Sequence, residues 1–219
     1  MEPVLLLMSA SEGEYESKRS RFLARAVPVH TEEEATAVLA ARRKEHYAAR
    51  HHCYAYVLGP NHETTRFSDD GEPSGTAGKP ILEVLLGSGL HNALVVVTRY
   101  FGGNLLGTGG LVRAYSAAAK EALDKAEGGL LYSGRRYHVI CSYTDLARVD
   151  RLLENLSLPV GEETFETDVS KEVYLTAEQE SPFLNGLADA TAGRALAEPD
   201  REMKFLLHER RAIPWNDSR

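Results

Sequence analysis

The sequence predicts an α+β protein of two domains, and three observations carry that reading. Strand and helix signals alternate over residues 1–127, the run Glu127-Gly128-Gly129 breaks them, and a strand-helix-strand-strand-helix-strand order follows. That last order is the ferredoxin-like split βαβ pattern. Domains at 1–130 and 135–210 follow from it. With 219 residues, 43% hydrophobic and 26% charged, the chain suits two small cores of an ordinary globular protein.

Each element has a local reason. The apolar run inside MEPVLLLMSASEG reads as a first strand. Thr31 and Glu34 form a capping box, and Ala35, Val38 and Leu39 follow at helical spacing, so a helix is expected from 32 to about 48. HCYAYVL at 52–58 has the period of two of a strand, ended by Gly59-Pro60-Asn61. RFSDDGEPSGTAGKP, 66–80, predicts a rigid turn-rich loop. In it Asp69 and Asp70 turn the chain, Pro73 and Pro80 stiffen it, and Ser68, Glu72, Ser74, Gly75 and Thr76 complete its shape.

Pro80 then opens a short helix over 80–86. ALVVVTRYF, 93–101, has the continuous apolar character of a strand buried on both faces. The glycine-rich GGNLLGTGG leads into a helix at 111–126. Beyond the break, strands are expected at 137–143, 159–166, 169–177 and, weakly, 203–209. Helices are expected at 145–156, capped by Thr144 or Asp145, and at 182–192, ended by Gly193. Residues 214–219 read as a frayed end.

Charge narrows the function classes. The net charge is -7; residues 1–130 carry 14 Lys/Arg against 16 Asp/Glu, and the remainder 11 against 16. Neither half is the strongly basic domain of a bulk nucleic-acid coat, so contact with phosphate would be a focused patch on residues 1–130. Basic clusters stand at Lys18-Arg19-Arg21-Arg25 and from Arg42 to Arg50. No apolar run reaches the ~20 residues of a membrane span. Two distant cysteines, Cys53 and Cys141, do not form a disulfide scaffold or a thiolate zinc site. A cytoplasmic location with no membrane partner is the expectation.

The detailed chemical fingerprints do not close. Gly102 and Gly107 have P-loop spacing, but Thr108 stands where lysine is required, and Gly107-Thr108-Gly109 cannot be extended to a dinucleotide motif. Two readings of Gly102, Gly103, Gly107, Gly109 and Gly110 stay open: positive φ and close helix packing, or anion binding at a helix start. His46, His51 and His52 lack metal-ligand spacing, and Asp69, Asp70 and Glu72 lack a calcium-loop pattern, so no metal and no cofactor are expected. No nucleophile elbow surrounds Ser74. Arg66, Lys79, Arg99 and Arg113 border glycine-rich segments or a buried strand; they either pair with the loop acids or grip phosphate.

KRSRF at 18–22, HHCYAY at 51–56, RFSDDGEPSGTAGKPIL at 66–82 and LVVVTRYFGG with LGTGGLVRAYS over 94–116 together resemble the IMPACT family. The run Ala49-Arg50-His51-His52 departs from the family's usual Ala-Thr/Ser-His-Asn type. The resemblance covers about residues 2–127. It implies an N-terminal α/β domain like the second domain of a small-subunit ribosomal protein, and a C-terminal ferredoxin-like domain similar to the last domain of elongation factor G. It also implies a non-enzymatic factor linked to translation, with RNA, a ribosome or a translation-related protein as partner. Residues assigned to nucleic-acid or phosphate contact on this basis are Arg21, Arg66, Lys79, Arg99, Arg113, Thr108 and the five glycines. An enzyme or phosphorylated-ligand binder using the same cleft, and a protein-docking module using the C-terminal sheet, are the alternatives.

Overall fold

The computed structural model describes residues 3–209 and 211–215, which divide into two compact units at Gly128/Gly129. The N-terminal unit holds β1 (Val4–Leu7), β2 (Ser11–Ser17), β3 (Ser20–Pro28), α1 (Glu32–Glu45), β4 (His51–Leu58), β5 (Thr64–Ser68), α2 (Gly78–Gly87), β6 (Ala93–Tyr100) and α3 (Thr108–Asp124). Its sheet has the order β2-β3-β6-β4-β5, antiparallel throughout.

The central strand β6 shows why the sheet is covered on both sides. Ala93, Val95 and Val97 join Phe22, Ala24, Cys53 and Ala55 under α2 and α3, packed by Ile81, Leu85, Tyr115 and Ala118. Leu94 and Val96 point the other way, into a smaller core with Ala35 and Leu39 of α1. Period-two alternation on β6 thus feeds two cores, as its continuous apolar character required.

The hairpin of β2 and β3 lies outside the sequence expectation. β2 buries only Gly13, whose missing side chain lets the backbone of α3 at Glu121 and Ala122 approach. Its remaining residues are exposed or half-buried, and the half-buried ones are serines, so no apolar period marks it. In β3 the alternation is present, with Ser20, Phe22, Ala24 and Ala26 buried; the interleaved arginines masked it. The turn Lys18-Arg19 joins them with both residues at positive φ, 48° and 68°, a two-residue hairpin turn made without glycine or asparagine.

The loop expectation for 66–80 needs correction. Arg66, Phe67 and Ser68 belong to β5, which pairs with β4 from Tyr54↔Ser68 to Leu58↔Thr64, and Gly78, Lys79 and Pro80 already lie in α2. The loop proper is 69–77. Helix α3 likewise begins at Thr108, three residues early, because Gly107 at φ 74° turns the chain and accepts the Leu111 amide.

The C-terminal unit contains β7 (Gly128–Cys141), α4 (Tyr143–Asn155), β8 (Val160–Phe165), β9 (Val169–Leu175), α5 (Ala177–Thr191), β10 (Leu196–His208) and β11 (Arg211–Pro214). The strands run β10-β7-β9-β8, so the βαββαβ element order is observed, with β11 hairpinned onto β10 and meeting β8 at Arg211↔Val160. Both helices cover one face through Val149, Leu153, Phe183 and Leu187. Neither helix starts as expected. Ser142 precedes α4, while Asp145 is buried and held by Arg148 and Arg194. Thr176 and Gln179 make a capping box that starts α5 five residues earlier, leaving Pro182 inside it. Residues 216–219 of the expected frayed end lie outside the described residues, and Pro214 ends a strand.

Candidate functional site

The polar loop 69–77 is built around three carboxylates, each with its own task. Asp69 accepts the amides of Gly75, Ala77 and Gly78 at 2.8, 3.0 and 2.8 Å, capping α2 from outside the helix. Burial pushes its carboxyl up, but the three amides more than offset this and hold it below the ordinary value. Asp70 accepts the His52 amide at 2.7 Å and Arg43 at 2.8 Å. Glu72 accepts both Arg99 and Tyr115 through one oxygen, each at 2.7 Å.

The Glu72–Arg99 pair is deeply buried, with side chains 4% and 7% exposed. The Arg99 guanidinium sits 5.5 Å from the ring centres of Phe22 and Phe101, and its Nε is buried with no partner. Beside it the Cys53 thiol donates to the Asp69 carbonyl, and burial pushes the Cys53 and Tyr115 ionisations up. Of the two readings for Arg99, internal pairing is the one observed. The three carboxylates point to separate partners, and among the described residues no group of three metal-ligating side chains gathers.

In front of this buried network lies an open cleft of about 530 Å³, lined by residues 48–51, the last two residues of β6, Phe101 just after it, and Leu105. The sheet register brings these walls together, aligning His51 with Arg99 and Arg21 with Tyr100. His51 Nδ1 lies 2.9 Å from the Asp70 carbonyl, which can only accept; the proton therefore sits on Nδ1 and Nε2 is the acceptor of the neutral ring. His46 Nδ1 meets the Tyr100 hydroxyl at 2.9 Å. Burial, then the nearby Arg42 charge, lowers the His46 basicity, and burial lowers that of His52. Among the described residues lining the cleft none is acidic.

The remaining expected site residues are partly scattered. Arg21 forms an exposed pair with Glu14, and Lys79 lies 4.0 Å from Glu83. Arg66 stands opposite Tyr56, five residues along β4 from His51, on the order of 17 Å away. Arg113 is exposed on α3. Gly102 is required by contact: a β-carbon there would collide with the Arg19 backbone, and its amide donates to Ser20 Oγ at 3.1 Å. Gly103 and Gly107 supply positive φ, at 86° and 74°, with open space around them. Lys18 donates to the Leu105 carbonyl, so the β2–β3 turn and the 101–107 loop form one rim. Thr108, Gly109 and Gly110 open α3, whose start has no side-chain cap and no acid in its first turn.

Sequence reasoning missed Phe101, Leu105, Tyr47 and Tyr115. The first three are 58%, 83% and 87% exposed, and an exposed apolar residue inside a loop has no periodic partner to flag it. Arg50 stood out only as part of a basic cluster and of the run 49–52 that departs from the family's usual pattern. For Phe101 and Leu105 the available signal was their place within the glycine-rich run 101–110.

The Impact N-terminal domain model matches residues 18–123, and a domain of unknown function, DUF1949, matches 139–194. An "IMPACT family member" of Haemophilus influenzae is 38% identical over 90% of this chain and 97% of its own length. "IMPACT family member YigZ" of Escherichia coli is 39% identical over 81% of this chain and 88% of its own. A solved structure titled "Crystal structure of an hypothetical protein" is 36% identical, with a TM-score of 0.59, covering 92% of this chain and 98% of that one.

Proposed function

This chain belongs to the IMPACT family, and from that membership we propose that it is a non-enzymatic, cytoplasmic, translation-linked factor that binds RNA, in solution or on a ribosomal surface, through the rim and cleft of its N-terminal unit. One observation supports this above the others. In a chain of net charge -7, the cleft lining holds no acid; exposed Arg50 lines it, and exposed Lys18 and Arg19 stand in the β2–β3 turn that meets its wall at Leu105 and Gly102, the two arginines without an ion pair among the described residues. Cations in such a place are poorly explained by stability, since exposed charges contribute little to it. They are well explained by phosphate contact, to which backbone amides such as those opening α3 can add.

The test is titration of fluorescently labelled structured RNA at several salt concentrations. Binding should weaken as salt rises, and Lys18→Ala, Arg19→Ala and Arg50→Ala should each lower the slope of log K against log salt by about 0.7 to 0.9. Unmeasurable affinity for both RNA and ribosomes at low salt would sink the proposal.

A further inference from the structure

The phosphate-binding reading says nothing of what enters the cleft, and the rim alone would suit any polyanion. We infer that the cleft receives one unpaired nucleotide of an RNA strand, its base laid on Phe101 and its phosphate held by Arg50; this rests on the RNA-binding reading and adds a ligand class to it.

Three features of the walls lead here. Phe101 is 58% exposed, yet it is not loose, because the Arg99 guanidinium, itself clamped by Glu72, lies 5.5 Å from its ring centre. The ring is thus fixed from within while much of its surface stays open, which is how a stacking platform is built. Leu105, 83% exposed, adds an apolar wall, and Ala48 and Ala49 line the cleft with small side chains. Exposed aromatic and aliphatic surface of this kind in a basic rim matches the flat apolar face and the charge of a nucleotide together.

The polar groups fit the same occupant. Arg50 supplies a cation with no carboxylate beside it in the lining. His51, with its proton committed to the Asp70 carbonyl, leaves Nε2 as an acceptor suited to an amino or imino N–H on a base edge. A volume of about 530 Å³ falls in the range of small-ligand clefts. A paired duplex cannot offer a base face, so the cleft would discriminate loops and single strands from helices.

The experiment uses the full chain with an RNA hairpin carrying 2-aminopurine in its loop, a duplex of equal length, and free AMP and UMP. The hairpin should bind about 10-fold tighter than the duplex, with quenching of 2-aminopurine fluorescence. Phe101→Ala should bring the hairpin down to the duplex level and abolish the quenching, leaving duplex binding unchanged. Phe101→Leu, which keeps apolar bulk at the position but neither the flat ring nor its contact with the Arg99 guanidinium, should behave alike and guards against a defect caused by lost side-chain volume. Equal hairpin and duplex affinities, insensitive to both variants, would overturn the nucleotide assignment while leaving RNA binding in place. Free nucleotides bound as tightly as the hairpin would overturn the strand assignment, and absence of binding to any RNA would overturn both readings.

Discussion

The side chain on which most depends is Glu72. It is the only acid contacting Arg99 among the described residues, and both are removed from water. Glu72→Ala would leave a buried guanidinium uncompensated and a tyrosine hydroxyl without its acceptor; we expect a loss of about 3–5 kcal/mol in urea denaturation. Glu72→Gln keeps an oxygen for Tyr115 and should lose less. Two neighbouring glycines separate contact from conformation. Gly102→Ala forces a methyl into the Arg19 backbone and should cost about 3 kcal/mol or more. Gly103→Ala meets open space and suffers only its φ of 86°, about 1 kcal/mol. Thermal melts of the pair would show whether that order holds.

Among elements, α2 illustrates capping from a distance. Its own N-cap, Ala77, offers no side-chain acceptor, and Asp69 substitutes from eight and nine positions earlier. Asp69→Ala should cost about 2–3 kcal/mol, with faster hydrogen exchange confined to residues 70–80. This also shows what was legible. α1 and β4 were readable because their apolar residues recur at one period, and β6 because its apolar run is unbroken. The charged edge strand β2 was not, since only Gly13 faces inward. The turn-rich character of 69–77 was readable from Asp, Gly and Pro, but the partners of its acids were not, because each lies on a different element. The basic residues Arg66 and Lys79 looked equivalent to Arg99 in sequence, and only the fold separates them: Arg66 lies on β5 opposite Tyr56, Lys79 on α2, and Arg99 against Glu72.

For the whole molecule, the two units should respond differently to acid. In the N-terminal unit His46 and His52 have lowered basicity, so the unfolded chain takes up protons first and stability falls as pH drops below about 6.5. In the C-terminal unit the bond from Arg194, reinforced by Arg148 against the opposing effect of burial, holds Asp145 down at about 2. Its contribution is present above the unfolded value of about 3.9 and is lost as pH falls toward 2. Urea unfolding of the full chain at pH 7, 5.5 and 3.5 should show the N-terminal transition moving to lower urea between the first two. A second transition should hold until the last. His52→Asn should flatten the first change, and Asp145→Asn should lower the second transition at pH 7 far more than at pH 2.

The turn Lys18-Arg19 carries a lesson for anyone engineering this protein. Two long side chains sit in left-handed backbone where Asn-Gly would be at ease, a strain of about 1–2 kcal/mol for each. A heat-resistance screen blind to activity would therefore favour Lys18→Asn with Arg19→Gly, raising the melting temperature. On the reading proposed above, the winner would be the sturdier and the emptier protein, its salt-dependent RNA affinity reduced in proportion to the cations removed. Finding a hotter melt with undiminished affinity would mean that the strained turn is only an accident of history.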